Sequence, residues 1–388
     1  MFDTIIIGKG LIGTAAARNL SATGQRVALI GPGEPDNWPT HQGVFASHYD
    51  QGRITRILDI DPVWAILAER AIEQYSAIEQ ESGLNFHYAT GGLRVEQPEA
   101  ITRIENVGQQ LKVNFKTFAP NTLEQACPAF RFPEHLAGIL EYGQAGYVNP
   151  RSMVAAQLKI AARHGLVIIE ETVAGVEPGA GQVTVKTTAG HRYLAQKVLI
   201  AAGAYTNHLL DQPLDLTPKA RTILLAQVSG PELERLKNIP TLIYESGDDP
   251  LVDIYMLPPI RYPDGKFYLK IGGDMVSPRL LHSADDFLDW FHSDGSRAEA
   301  GGLKETLHAI IPNLKADTYA TKPCVITTTP HKHPFIDVIE PGRIFVAAGG
   351  CGASAKSSIE IGRIAARLVG NDAWDYDLDQ ELFKAKYK

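Results

Sequence analysis

Short apolar runs alternate with stretches of helical spacing at both ends of the chain. Residues 4–7 are a β-branched run typical of a strand buried on both faces, and residues 26–30 are predicted to form the second strand. The alanine-rich stretch 14–20 between them indicates a helix packed closely on a sheet. Residues 343–349 repeat the strand pattern and lead into a helical stretch at 357–369. The pattern predicts a βαβ unit at the N-terminus and a strand and helix of the same style at the C-terminus.

The segment from residue 217 to about 320 has a different character, with more prolines and aromatic residues. Its candidate strands, at 222–228, 254–257 and 267–271, favour an antiparallel sheet. We predict an α/β protein of two interleaved domains. One is Rossmann-like, with residues 1–85, 145–216 and 321–388; the other is an α+β domain built on an antiparallel sheet, with residues 86–144 and 217–320.

Composition and charge narrow the classes of partner. The 388 residues are 44% hydrophobic, and the formal net charge is −7 without a basic run, which gives no support to a nucleic-acid partner. No apolar stretch approaches the roughly 18 residues that a membrane-spanning helix needs. The first strand begins by Thr4, which leaves no room for a signal peptide, so we expect a cytoplasmic protein without a membrane partner.

Cysteines and histidines give no indication of a metal site. Cys127, Cys324 and Cys351 are too few and too scattered for a disulfide framework, and their spacing does not fit structural zinc. His331 and His333 stand two residues apart between prolines, without an acid nearby in the sequence, so we interpret them as loop residues. We therefore expect no metal.

A glycine motif follows the first predicted strand. Gly8, Gly10 and Gly13 enclose Leu11 and Ile12 at the start of the first helix, where backbone amides and the helix N-terminus favour a pyrophosphate. The acid that usually ends the second strand and binds ribose is missing, because Gly31 stands there. Either Glu34, three residues on, or a backbone group would have to replace it.

The far end of the chain distinguishes FAD from NAD. An NAD module would be self-contained in the first half, whereas here a second glycine loop, Gly349, Gly350 and Gly352, joins a strand to the last helix. A helix N-terminus aimed at an isoalloxazine ring would stabilise negative charge on reduced flavin. Gly203 ends another buried apolar run, at 197–204, beneath the expected ligand. These features favour FAD.

With these motifs the chain resembles the D-amino-acid-oxidase-type FAD family, and within it the monomeric sarcosine oxidase branch. The resemblance covers nearly the whole length and implies an FAD-binding domain of the glutathione-reductase type. It implies that Cys324 forms a thioether to the flavin 8α-methyl group and that Thr327 contacts the flavin. A buried structural role for Cys324 is the alternative. Cys351, in the glycine loop, is the second candidate for the attachment.

Three cations match substrate and flavin positions of the family. By the resemblance, Arg53 lies near the flavin, while Arg56 and Lys356 bind the substrate carboxylate. The guanidinium group offers a fork that matches a carboxylate. The alternative for any one of them is a solvated surface charge.

The resemblance gives Lys270 the role of promoting the reaction of oxygen over the flavin ring, by stabilising superoxide. The alternative is a lysine on the solvent face of an antiparallel strand. Tyr255 matches a pocket tyrosine. Asp274 and Tyr49 stand where the family has histidines, although His48 adjoins the second position. An anionic Asp274 would change which substrates bind.

The resemblance implies oxidation of an amine that bears a carboxylate to an imine, with oxygen reduced to hydrogen peroxide, by a monomer. One alternative is a dehydrogenase that passes electrons to a quinone or a partner protein. Another is a flavin-loaded subunit of a larger complex, which would show an exposed apolar patch. The sequence does not identify the amine.

Overall fold

The computed structural model describes residues 1–245, 247 and 251–388. Its strands are β1 (Phe2–Ile7), β2 (Val27–Ile30), β3 (Arg53–Thr55), β4 (His87–Ala89), β5 (Gly92–Glu96), β6 (Phe115–Phe118), β7 (Ala137–Glu141), β8 (Gly146–Val148), β9 (Val167–Ile169), β10 (Val173–Gly179), β11 (Gln182–Thr187), β12 (Arg192–Ile200), β13 (Thr217–Val228), β14 (Thr241–Tyr244), β15 (Leu251–Arg261), β16 (Phe267–Met275), β17 (Thr318–Thr328), β18 (Phe335–Glu340) and β19 (Ile344–Ala348). Its α-helices are α1 (Leu11–Ser21), α2 (Pro62–Ile72), α3 (Tyr75–Ser82), α4 (Pro98–Gln110), α5 (Pro150–Arg163), α6 (Gly230–Leu236), α7 (Ala284–Phe291), α8 (Arg297–Ile310) and α9 (Ser354–Asn371).

The first sheet brings the two ends of the chain together. β9, β2, β1, β12 and β19 lie side by side and parallel, and the hairpin β10–β11 and the strand β18 extend it in antiparallel pairing. The β1 and β2 core residues are almost wholly buried, as expected for a parallel sheet covered on both faces. The prediction of a Rossmann-like α/β fold that uses strands from both termini is confirmed.

Helices α1 and α9 cross very closely on this sheet. A Cβ atom on Gly362 would lie 2.5 Å from the Cβ of Ala15 and 2.7 Å from the backbone nitrogen of Ala16. The small residues of both helices therefore let their backbones approach, and any larger side chain at position 362 would push them apart. This contact holds the first turns of α1, directly after the N-terminal glycine loop, against the middle of α9.

The second sheet has the order β17-β13-β16-β15-β14-β5-β7-β6 and is antiparallel except for the β14–β5 pair. The predicted antiparallel strands lie in β13, β15 and β16. The proposed domain boundary at residue 321 falls inside β17, which pairs with β13 along its whole length. The division into domains stays a prediction, and the segment that carries Cys324 belongs to the second sheet.

A small sheet, β3-β8-β4, lies at the junction of the other two. β3 contacts α9 on one side, while Ile54 and Tyr147 pack against Leu225 and Leu257 of the second sheet. The junction positions Arg53 and the segment after it between the two sheets. Within the described residues, no helix is both long and apolar enough to cross a membrane.

Candidate cofactor and substrate site

The N-terminal glycine loop packs tightly against the end of β12. Gly8 has a φ of +115°, and a Cβ atom there would lie 2.2 Å from the carbonyl oxygen of Ala201. A Cβ atom on Gly13 would lie 1.9 Å from the carbonyl oxygen of Gly8. Gly10 precedes α1 without a side-chain cap, and the nearest atom to a Cβ placed there is the Nδ1 of His48, at 4.0 Å. The loop thus leaves the start of α1 without a side-chain cap, and a helix N-terminus of this kind favours a phosphate group.

The ribose position differs from the usual pattern because β2 ends against the loop. A Cβ atom on Gly31 would lie 2.7 Å from the backbone nitrogen of Lys9, so an acidic side chain does not fit there in this conformation. Glu34 forms a bidentate ion pair with Arg151, with Nε to Oε2 at 2.7 Å. Glu170, directly after β9, pairs with Lys9 and is a further acid at this edge that sequence reasoning missed.

The C-terminal glycine loop is tied to the end of β17. The backbone nitrogen of Cys351 donates to the carbonyl oxygen of Thr327 at 2.9 Å. Gly349 and Gly352 have φ values of +82° and +74°, and a Cβ atom on Gly350 would lie 2.2 Å from the Oγ of Ser354. The turn that starts α9 therefore requires glycine and places Thr327 beside it.

The two candidate thiols have different surroundings. The Sγ of Cys351 lies 3.2 Å from the carbonyl oxygen of Gly349, and burial raises the pKa of this thiol. Cys324 is half-buried and lines a cleft with Trp38, Tyr49 and Lys322. Because this cleft also includes the Arg53 side chain, Cys324 is the thiol that faces the cations of the site.

Lys270 belongs to a buried group that we call the Asp50 cluster: Asp50, Arg53, Tyr262 and Lys270. The Lys270 Nζ donates to Asp50 Oδ2 at 2.6 Å and to the carbonyl oxygen of Gly52 at 2.9 Å. Arg53 pairs with the same carboxylate oxygen, and Tyr262 donates to the other, Oδ1, at 3.1 Å. Lys270 is 0% exposed, so the solvent-face alternative for this lysine is wrong.

The electrostatic environment of Lys270 combines opposing effects. Burial, followed by repulsion from Arg53, lowers the pKa of the Lys270 ammonium well below its ordinary value. Asp50 Oδ2, which accepts a hydrogen bond from this Nζ at 2.6 Å, favours the charged form of the lysine at that distance. The Nζ also lies 5.4 Å from the ring centre of Tyr255, whose own pKa burial raises.

A second buried group, the Asp59 cluster, contains Arg56, Asp59, Glu141 and Lys356. Asp59 Oδ2 accepts hydrogen bonds from Arg56 Nη1 at 2.9 Å and from Lys356 Nζ at 2.8 Å. Burial opposes ionisation of Asp59, but Lys356 and Arg56 outweigh it and hold the pKa of its carboxyl far below the ordinary value. Burial, with repulsion from Arg56, lowers the pKa of Lys356 to about 8. Arg56 and Lys356 thus converge on one oxygen atom.

Glu141 holds the backbone between Arg56 and Asp59 in place. Its carboxylate accepts hydrogen bonds from the backbone nitrogens of Ile57, at 2.9 and 3.1 Å, and Leu58, at 2.8 Å. Burial raises the pKa of this carboxyl. Tyr75 fixes the other side, since its Oη donates to the carbonyl oxygen of Lys356 at 2.7 Å. The backbones that carry the two cations are therefore held independently of the cations themselves.

Asp274 lies on the same face of β16 as Lys270 and Gly272, because successive residues of a strand alternate. A Cβ atom on Gly272 would lie 2.5 Å from the Cζ of Tyr255, so glycine provides the room for that ring. Asp274 forms an ion pair with the buried Arg221. The charge of Asp274 is therefore matched by a neighbour that sequence reasoning missed.

One histidine of the pair His331 and His333 has an acidic partner that is distant in the sequence. His333 Nε2 lies 2.7 Å from the carboxylate of Asp61, so the statement that no acid lies near these histidines is wrong in three dimensions. The described residues contain no group of three or more histidine, cysteine, aspartate or glutamate side chains suited to a metal ion.

The comparison with known families decides the class of protein. Residues 3–368 match the model of the DAO family, described as FAD dependent oxidoreductase. The chain belongs to this family. The match extends over both large sheets and over both glycine loops, so it covers the whole of the site described above.

Individual relatives and structures are similar along their full length. Monomeric sarcosine oxidase of Streptomyces avermitilis is 28% identical over 378 residues, covering 95% of this chain and 93% of that protein. N-methyl-L-tryptophan oxidase of Yersinia pestis is 25% identical over 373 residues, covering 94% of each. The structure of NikD, described as an unusual amino acid oxidase essential for nikkomycin biosynthesis, has a TM-score of 0.78 at 21% identity and covers 100% of this chain and 98% of that chain.

The residues at the loop of α1 fit an FAD molecule. His48 Nδ1 is buried without a hydrogen-bond partner among the described residues, 4.0 Å from the position of a Cβ atom on Gly10. Burial, with the charges of Arg151 and Lys9, lowers the pKa of His48 to about 3, so the ring is neutral. A polar group of bound FAD would satisfy this nitrogen. Tyr49, next in sequence, instead donates to the carbonyl oxygen of Gly33 at 2.9 Å.

Sequence reasoning missed the acids that organise the site. Asp50 lies three residues before Arg53, and Asp59 three residues after Arg56. That spacing within one charged segment was the available signal. It did not reveal that each acid also pairs with a lysine from a distant part of the chain.

Proposed function

We propose that this protein is an FAD-dependent oxidase of an amine that bears a carboxylate, such as an N-substituted amino acid. The observation that carries the proposal is the convergence of Arg56 Nη1 and Lys356 Nζ on a single carboxylate oxygen, at 2.9 and 2.8 Å. Two buried donors arranged around one oxygen are the arrangement that binds a carboxylate. The relatives named as sarcosine and N-methyl-L-tryptophan oxidases support this substrate class.

The chain supplies positioning and charge to the reaction. When bound, FAD supplies the redox chemistry that takes a hydride from the carbon beside the amine nitrogen and reduces oxygen to hydrogen peroxide, leaving an imine that water hydrolyses. Arg56 and Lys356 orient the substrate through its carboxylate. Lys270, fully buried beside Arg53, provides a positive charge for the step that involves oxygen. Tyr255, whose ring centre lies 5.4 Å from the Lys270 Nζ, would contact the substrate.

The FAD contacts are proposed from the two glycine loops. Gly8, Gly10, Leu11, Ile12 and Gly13 would hold the pyrophosphate, since α1 begins there without a side-chain cap and a helix N-terminus favours a phosphate group. On the flavin side the contacts would come from Arg53, Thr327, Gly349, Gly350, Gly352 and Lys356. Gly203 has a φ of +57° where the chain turns into a short 3-10 helix after β12, at the same edge. Glu34, bound to Arg151, would reach ribose only by leaving that partner.

We further propose that the flavin is attached covalently through Cys324. The half-buried thiol lines the cleft beside Arg53, whereas Cys351 contacts the carbonyl oxygen of Gly349. Acid-precipitated protein should stay yellow, and its mass should exceed the chain mass by one FAD. Cys324→Ala should release the flavin and Cys351→Ala should retain it. The reverse result would identify Cys351 as the attachment site.

A peroxide-coupled screen tests the activity. Purified yellow protein should produce peroxide from some N-methyl amino acids, cyclic imino acids or longer N-substituted amino acids. It should produce none from the matched amines that lack the carboxylate. Equal rates with both members of a pair would contradict the carboxylate assignment. If the reduced enzyme reacts slowly with oxygen but fast with a quinone, the protein is a dehydrogenase and the assignment as an oxidase is wrong.

The protein is further proposed to act as a monomer in the cytoplasm. The three cysteines, Cys127, Cys324 and Cys351, are free, which is usual in a reducing compartment. Gel filtration of the purified chain, with mass determined by light scattering, tests the monomer. Copurification of a stoichiometric partner would favour the subunit alternative.

A further inference from the structure

We propose that Asp59 is a specificity-determining residue, an internal carboxylate that occupies the anion subsite of Arg56 and Lys356 and competes with the carboxylate of the ligand. The inference rests on the proposed function, because it takes these two cations to be the carboxylate subsite. It goes beyond the assignment of the two cations, because it states that a carboxylate of the chain itself competes with the ligand for them.

The geometry of the hydrogen bonds supports the competition. Arg56 Nη1 and Lys356 Nζ both donate to Oδ2 of Asp59, at 2.9 and 2.8 Å. A ligand carboxylate that binds between these two donors must replace Oδ2 or share the donors with it. Both cases cost affinity, because a like charge at hydrogen-bonding distance disfavours a second carboxylate.

Asp59 is well placed to hold this position. It is buried, with a side chain that is 9% exposed, and that of Lys356 is 4% exposed, so water screens the pair poorly. Within the part of the chain that the structure describes, its other oxygen, Oδ1, accepts only a long bond of 3.3 Å from the backbone nitrogen of Asp61. The carboxylate is therefore held mainly by the two cations that a ligand would need.

The charge balance of the Asp59 cluster also supports competition between Asp59 and the ligand carboxylate. Arg56 and Lys356 contribute two positive charges, and Asp59 cancels one of them. Glu141, when ionised, cancels the other, although its oxygens are directed to the backbone nitrogens of Ile57 and Leu58. A further cation that acts on Asp59, Arg94, is itself paired with Glu96, so the subsite has little excess positive charge for a simple monocarboxylate when Glu141 is ionised. Ligands that bind well must gain affinity from contacts elsewhere in the site.

The test measures binding of acetate, which has a carboxylate and no oxidisable amine. Acetate is titrated into the FAD-loaded protein, and the dissociation constant is read from the change in flavin absorbance. Asp59→Asn keeps the shape of the side chain and removes its charge, so acetate should bind at least about tenfold more tightly than to the wild type. Asp59→Glu keeps the charge and should stay close to the wild type.

Asp61→Asn is the matched control. It is the same chemical change two residues away, and asparagine retains the capping of α2 that Asp61 provides through the nitrogen of Val63. Its affinity for acetate should equal that of the wild type. An increase of the same size in Asp61→Asn would show a general effect of charge and would overturn the assignment to Asp59.

Thermal unfolding provides a second measurement, since loss of Asp59 leaves two cations without their partner. Acetate should raise the melting temperature of Asp59→Asn markedly more than that of the wild type, as a carboxylate fills the vacated position. Asp59→Ser, which leaves more room, should respond in the same way. Acetate that stabilises neither variant beyond the wild type would overturn the inference.

Lys356→Met separates this inference from the proposed function. If acetate binds Asp59→Asn no more tightly than the wild type, while Lys356→Met abolishes its binding, the competition by Asp59 is wrong and the carboxylate subsite stands. If Lys356→Met leaves acetate affinity unchanged, the carboxylate subsite itself is wrong.

Discussion

The Asp50 and Asp59 clusters each place one buried aspartate between an arginine of the same segment and a lysine from a distant element. They differ in how the carboxylate is satisfied. Asp50 uses both oxygens, since Oδ2 pairs with Lys270 and Arg53 while Oδ1 accepts from Tyr262 at 3.1 Å. Asp59 uses one oxygen for both cations, and its other oxygen has, among residues 1–245, 247 and 251–388, a single long bond from a backbone nitrogen.

This difference separates a fixed charge from an exchangeable one. A carboxylate bonded on both oxygens, around a lysine that is 0% exposed, loses several contacts if it moves. A carboxylate held through one oxygen can be replaced by another carboxylate with little change in the donors. We therefore expect the Asp50 cluster to set the charge near the flavin, and the Asp59 cluster to respond to the substrate.

The largest expected effect concerns Lys270. Lys270→Met removes the cation proposed for the oxygen step, and it should slow reoxidation of the reduced enzyme by several orders of magnitude, at about tenfold per 1.36 kcal/mol. Stopped-flow flavin absorbance measures both half-reactions, and anaerobic reduction by substrate should change much less. Lys266→Met, an exposed lysine next to the same strand, is the control. A slower reductive half-reaction alone would place Lys270 in the substrate pocket.

The free energy of unfolding tests whether the carboxylate of the Asp50 cluster is fixed in place. Asp50→Asn leaves the buried Lys270 and Arg53 without their carboxylate and should lower the free energy of unfolding by about 3 to 5 kcal/mol. Urea unfolding of the FAD-loaded protein measures this change. Added acetate should not restore the stability of Asp50→Asn, in contrast to Asp59→Asn. Restoration of both variants would remove the distinction between the two clusters.

Loss of one substrate cation should have a somewhat smaller effect. Arg56→Met or Lys356→Met removes one charge-assisted partner of the substrate carboxylate and should cost about 2 to 4 kcal/mol, or about 30- to 1000-fold in kcat/KM. Flavin absorbance should show that FAD remains bound in Lys356→Met. Unchanged kinetics of both variants with carboxylate substrates would refute these roles.

The smallest expected effect is the pH dependence of ligand binding. The pKa of Lys356 is lowered to about 8, and the protonated form is the one that binds a carboxylate. As the pH rises through about 8, the ammonium is lost, so acetate affinity should fall by up to about tenfold per pH unit. An affinity that rises with pH in the wild type would contradict the assignment.

Local patterns predicted the fold well, because strands and turns depend on neighbouring residues. The strands expected at 222–228 and 267–271 lie in β13 and β16, and the antiparallel pairing between them is confirmed. The domain boundary expected at residue 321 does not coincide with the end of a strand, since β17 continues across it. Cross-strand pairing with β13 decides where that segment belongs, and no local pattern contains this information.

The site was predicted in part. The two glycine loops and Lys270 were recognised by their residue types, but their partners were not. The solvent-face alternative for Lys270 arose because apolar neighbours alternate around it; the structure shows that both faces of β16 are covered there, since Lys270 and Ile271 are both fully buried. Burial on both sides of a strand depends on what packs against the sheet.

The sequence by itself determined the nucleotide loop of this protein. Glycine at positions 8 and 13 answers a local requirement, because Gly8 has a φ of +115° and a Cβ atom on Gly13 would lie 1.9 Å from the carbonyl oxygen of Gly8. Only the tertiary structure decided the state of the charges. Lys270 and Asp50 are 220 residues apart, and Lys356 and Asp59 are 297 residues apart. Ion pairs over such distances form when packing excludes water around specific neighbours, and that environment exists only once the two sheets and α9 have assembled.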